Sequence, residues 1–104
     1  MQPALFEKTP LSEVEHVLLA GYLQAHPSLE SLTGSYEAMR RELQQLEARD
    51  VASVADCSRA FNGEARTTFS DIWHFSDPGH ELLAQCMRDV LVKALRTPAT
   101  PTSP

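Results

Sequence analysis

The chain has 104 residues, nine Lys and Arg against fourteen Asp and Glu, a formal charge of −5, and 42% apolar and 22% charged residues. That is the composition of a soluble globular protein, with room for one domain or part of one and a modest core. The longest basic cluster is Arg40-Arg41. Nucleic-acid binding is therefore not expected, because it needs concentrated positive charge to displace counterions. The longest apolar run, Val17 to Ala20, is far short of the roughly 20 residues that span a bilayer. Met1 to Pro10 places no apolar stretch behind a basic start, so no secretory signal is expected and the cytoplasm is the default location.

Pro3 and Pro10 bracket an opening segment that should be extended or looped. Ser12-Glu13-Val14-Glu15 has the capping-box form, in which Ser12 and Glu15 each satisfy the other's backbone amide at a helix start. Val14, Val17, Leu18, Gly21, Tyr22 and Ala25 follow at helical spacing until Pro27, predicting an amphipathic helix. A second helix is predicted from about Ser35 to Arg49, with Tyr36, Met39, Leu43 and Leu46 on its apolar stripe and its charges on a solvated face. Val51 to Asp56 is short and free of long polar side chains, which reads as a buried strand. The order of helix, strand, loop and helix points to an α/β architecture with a parallel sheet.

The last predicted helix is the most regular. Leu82, Leu83, Cys86, Met87, Val90, Leu91, Ala94 and Leu95 form apolar pairs repeating every four residues, the signature of one buried face. Asp77 suits its N-cap and Pro78 its first position. From Arg96 onward, the Pro/Thr-rich tail has nothing to bury and is expected to be disordered, leaving residues 1–95 as the folded unit. Cys57 and Cys86 are too few and too far apart for a zinc site or a disulfide framework. They read first as two small buried thiols, with a bridge as the alternative.

The segment from Phe69 to Ala84 carries the chemistry. Asp71 and His74 stand three residues apart just before the final helix. In nucleophilic acyl transfer, a histidine takes the proton of a serine hydroxyl and delivers it to the leaving alcohol, while a carboxylate orients the ring. On one tight turn the Asp71 carboxylate can reach Nδ1 of His74 and leave Nε2 facing a nucleophile. Asp71, His74, Asp77 and His80 recur every third residue, which also suggests a metal site. Asp77 is better explained as a cap, and no metal or cofactor is expected. Trp73 is either a substrate-contacting ring or, in the favoured reading, a packing anchor. Phe61, Phe69 and Phe75 read as core, and His16 and His26 as surface residues.

Further features of the segment are the aromatic Phe69 two residues before Asp71, Phe75-Ser76 after His74, Gly79, and the helix opening Leu82-Leu83-Ala84. This pattern is similar to the C-terminal block of SGNH (GDSL-type) ester hydrolases. The resemblance implies the C-terminal part of a three-layer α/β/α, flavodoxin-like domain, mostly helical in this chain with one or two short parallel strands. Gln2-Pro3 would end one strand, and Val51 to Asp56 would be the other. It further implies a small-molecule ester substrate, with His74 as general base and then acid and Asp71 as its orienting carboxylate. The family's Gly-Asp-Ser nucleophile segment and its oxyanion-hole Gly and Asn blocks do not occur among these 104 residues. Thr33-Gly34-Ser35 lacks the Asp, and Asn62-Gly63 reads as a turn. The chain is thus expected to supply the acid–base half of a Ser-His-Asp mechanism without catalysing it alone. Lipid, acetylated-sugar and thioester substrates all stay open. An incomplete sheet would leave an open edge, so self-association is expected. The alternative is a non-catalytic helical interaction module.

Overall fold

In the computed structural model, residues 1–49 and 55–96 are described. Their order is a short 3-10 turn at Leu5–Glu7, helix α1 at Glu13–Ala25, helix α2 at Glu30–Ala48 and helix α3 at Asp77–Arg96. The α/β, flavodoxin-like fold expected from the sequence is not formed: the described residues make helices and loops with no strand. Among the described residues, extended pairing is limited to one isolated antiparallel bridge, Phe69 with Phe75. The expected strand Val51 to Asp56 lies mostly outside the described residues, as does the tail beyond Arg96. Its described end meets the chain start in two hydrogen bonds, from the Met1 ammonium to the Ala55 carbonyl and from the Cys57 amide to the Met1 carbonyl, and no ladder grows from them. The described apolar side chains lie instead at helical spacing or in an aromatic loop, neither of which supplies the period-2 face a sheet requires.

The core is small. Leu5, Phe61 and Phe69 are buried, and Leu11, Leu18, Leu19, Ile72, Phe75, Leu82 and Leu83 pack around them. Phe61, Phe69 and Phe75 form a triangle of edge-on rings, with centroids 5.3–5.4 Å apart, the arrangement favoured by the aromatic quadrupole. The radius of gyration is 16.5 Å and the longest extent 61 Å, against about 13 Å for a compact domain of this length.

Helix α1 begins with the expected capping box: Ser12 Oγ accepts from the Glu15 amide at 3.2 Å and Glu15 Oε1 from the Ser12 amide at 2.9 Å. Its inward face differs from the one the sequence suggested. Val14 and Val17 are exposed, and Glu15 is wholly buried instead. Glu15 Oε1 accepts from Lys8 Nζ at 2.5 Å, and Oε2 accepts from the Thr68 amide and hydroxyl at 3.0 and 2.9 Å. Lys8 Nζ also donates to the Arg66 carbonyl at 2.8 Å. A buried ion pair is tolerable only when its remaining hydrogen-bond capacity is filled, and among the described residues no buried side-chain polar atom lacks a partner. Position 15 therefore sets the rotation of α1, and Leu11, Leu18 and Tyr22 share its face at spacings of four, three and four residues.

Helix α2 starts five residues earlier than the sequence suggested and is tied down by Arg40, which donates to Glu7 and, at 3.1 Å, to Ser58 Oγ. The expectation of a fully buried face on α3 fails. Leu82 and Leu83 reach the core, but Met87, Leu91 and Leu95 are exposed, Leu95 to 77%. Twenty residues extend about 30 Å, so the distal turns overhang so small a core. Cys57 and Cys86 are joined in a disulfide, with Cα atoms 6.0 Å apart, in place of the two thiols first expected. The bond fastens the middle of α3 to the loop that opens at Cys57.

Candidate functional site

The loop from Phe69 to Phe75 is a tight excursion whose two ends are fixed to different helices. At its root the Ser76 amide donates to the Thr68 carbonyl at 2.9 Å, and Ser76 Oγ donates to the Thr67 carbonyl at 2.7 Å. Thr68 is held to α1 through Glu15. Ser76 also receives the Gly79 amide at 3.4 Å and the His80 amide on its carbonyl at 2.9 Å. It is therefore the residue that caps α3, one position before the Asp77 expected from the sequence. Gly79 is needed for close approach: a Cβ there would lie 2.1 Å from the Thr68 carbonyl oxygen.

Within the loop, the Ser70 amide donates to the His74 carbonyl at 2.9 Å. Asp71 Oδ1 accepts from the amides of Trp73 and His74, both at 2.7 Å. This is an Asx-type turn, in which a side-chain oxygen substitutes for a backbone acceptor. The same carboxylate meets the ring of His74, with Nδ1 at 2.7 Å from Oδ2 and 2.9 Å from Oδ1. The amides of Trp73 and His74, with the His74 ring adding to them, hold the Asp71 carboxyl below its ordinary range. An ionised carboxylate only accepts, so Nδ1 carries a proton, and whenever the ring is neutral it is Nε2 that holds the lone pair. Among the described residues, the ring's hydrogen bonds go to Asp71 alone. The pair is open to solvent, with 77% of the His74 side chain and 53% of that of Asp71 exposed.

Asp71 and His74 thus come together, whereas the other residues of the every-third-residue series do not join them. Asp77 is the first residue of α3, and His80 lies edge-on to Phe75 at 5.7 Å. Among the described residues, no three His, Cys, Asp or Glu side chains are grouped to hold a metal. Trp73 is not the packing anchor favoured from sequence: it is 48% exposed. Its ring stands edge-on to Tyr22 of α1 at 6.1 Å, and Tyr22 stacks on His26 at 4.4 Å. The parts played by Tyr22 and Glu15 were missed in the sequence. Their signals were an aromatic pair four residues apart and a capping glutamate with a second oxygen to spare.

Thr33-Gly34-Ser35 lies inside α2, and Asn62-Gly63 forms a turn with Gly63 at φ 83°. Three surface hollows of about 410, 370 and 300 Å³ lie along α2 and α3, and none of the three is lined by Asp71, Trp73 or His74. No helix among the described residues is long and apolar enough to cross a membrane. Comparison of the chain with protein-family models, with curated proteins and with solved structures finds no match in any of the three.

Proposed function

We propose that the segment from Phe69 to Ala84 is the acid–base element of a serine-type ester hydrolase, similar in its residues to that of the SGNH hydrolases. His74 is the proton carrier and Asp71 the carboxylate that orients it. The observation that carries this reading is the Asp71 carboxylate on Nδ1 of His74, with Nε2 left free at an exposed loop tip. In the reaction, Nε2 accepts the proton of a serine hydroxyl as its oxygen adds to the ester carbonyl. The resulting imidazolium is stabilised by Asp71 and returns the proton to the leaving alcohol. A water then repeats the sequence on the acyl-serine. The serine and the oxyanion donors, which contribute much of the rate, come in this reading from outside the 104 residues.

The test is hydrolysis of a short acyl ester such as 4-nitrophenyl acetate. The 104-residue chain alone should show no turnover above buffer. Expression of the reading frame extended upstream of Met1 should give turnover that His74→Ala lowers by about three or more orders of magnitude. Turnover by the extended protein that His74→Ala leaves intact would rule the assignment out.

A second reading, a helical module that binds another polypeptide, draws on the exposed apolar residues Met87, Leu91 and Leu95 of α3. Size-exclusion chromatography with light scattering separates the two: a stable self-associated form dispersed by Leu91→Asp would favour the module.

A further inference from the structure

We infer that Trp73, braced by Tyr22 of α1, forms a stacking ledge for a sugar ring, so that the ester presented to His74 is an acylated carbohydrate. This rests on the hydrolase reading above and names its substrate class.

Trp73 is the only tryptophan of the chain, and it is left half exposed at the loop tip while Phe61 and Phe69 of the same region are buried. It immediately precedes His74. Its ring is perpendicular to Tyr22, with an interplanar angle of 87°, and Tyr22 lies nearly parallel to His26, at 16°. Trp73, next in sequence to His74, is thus braced edge-on by Tyr22, whose own face is covered by His26. The ledge is also pre-formed. Glu15 bolts the root of the loop to α1, and Tyr22, seven residues and about 10 Å further along the same helix face, supports the tip. Little ordering is then required on binding.

The shape selects among ester classes. An acyl chain needs an enclosed apolar slot, but Trp73 is half open to water and His74 more so. A quaternary ammonium needs several aromatic faces converging on one point, and here one face of Tyr22 is already covered by His26. A pyranose has an apolar face of C–H bonds and a rim of hydroxyls. Stacked on an open indole, it removes apolar surface from water while the hydroxyls stay solvated.

Because Trp73 is the only tryptophan, intrinsic fluorescence of the 104-residue chain reports the ledge and needs no turnover. Titration with partly O-acetylated cellopentaose and with unmodified cellopentaose should both give a saturable change. Acetylcholine and a water-soluble octanoate ester should give none. Tyr22→Ala should weaken oligosaccharide binding about tenfold or more, Tyr22→Phe should preserve it, and His16→Ala on the same helix should not alter it, each variant being checked for native circular dichroism. Absence of a saturable response to either oligosaccharide, or saturation by acetylcholine or octanoate instead, would overturn the ledge. Neither result would touch the hydrolase assignment, which stands or falls on the His74 dependence of acetate-ester turnover.

Discussion

Glu15 and Asp71 are both carboxylates held below their ordinary ionisation range, yet they are built in opposite ways. For Glu15, burial pushes the carboxyl up, and the Lys8 ammonium with the amides of Ser12 and Thr68 more than offsets it. Each Glu15 oxygen accepts two hydrogen bonds, and nothing is left to engage a ligand. Asp71 is exposed, and its amide contacts come from its own turn. Its further partner is an imidazole with a second nitrogen still free. Saturation in a dry site leaves Glu15 no capacity beyond holding the fold, whereas the open tip leaves the Asp71–His74 pair able to engage a further group. The two are coupled, because the loop that presents Asp71 and His74 is rooted on Thr68, which Glu15 holds.

The largest effect should come from the buried cluster. Glu15→Ala leaves the Lys8 ammonium buried without its partner, which costs about 3–5 kcal/mol. Urea denaturation followed by circular dichroism should show most of the stability gone, and a midpoint near that of wild type would mean that Glu15 is not the bolt described. Replacing both cysteines of the 57–86 bridge by Ser removes a closed loop of 29 residues, worth roughly 3–4 kcal/mol by chain entropy. The same denaturation curve measures it. Gly79→Ala drives a methyl into the Thr68 carbonyl and should cost roughly 1–3 kcal/mol. Thermal melting checks this, and an unchanged melting temperature would show that α3 and the loop root are not in close contact.

Acid sharpens the contrast. The Glu15 carboxyl is lowered in the folded state, so its contribution is fully present above the unfolded value of about 4.3. It is lost as pH falls through the lower folded-state value. Glu15→Gln should therefore flatten the acid limb of the stability curve. Asp71 has the same sign, but at an exposed site solvent screens it, so Asp71→Asn should leave that limb almost unchanged. Leu95→Gln, on the overhanging end of α3, should alter stability by no more than about 0.5 kcal/mol. A larger loss in the monomer would show that this stripe is covered.

Local features were legible in the sequence, and long-range ones were not. The capping box of Ser12 and Glu15, the turn at Asn62-Gly63 and the burial of Phe61 and Phe69 all follow from short-range rules. The approach of Asp71 to His74 Nδ1 was also readable, since three residues on a turn suffice for it. The sheet was expected because a helix–strand–helix order implies one, but hydrophobic order alone does not pair strands. The rotation of α1 was hidden because Lys8 and Thr68, 60 residues apart in sequence, decide which face Glu15 turns inward. Cys57 and Cys86 were separated by a span that carries no pairing information. Trp73 was assigned to packing by residue type, whereas its half-exposed position follows from the Asx turn that carries it to the loop tip.

The most direct test of the Asp71–His74 pair is the tautomer of the His74 ring, read from its nitrogen-15 resonances by NMR at about pH 9, where imidazole is neutral. The structure predicts a proton on Nδ1 and a free lone pair on Nε2, with that preference lost in Asp71→Asn. A ring protonated chiefly on Nε2 in the wild-type chain, and unchanged by Asp71→Asn, would contradict it.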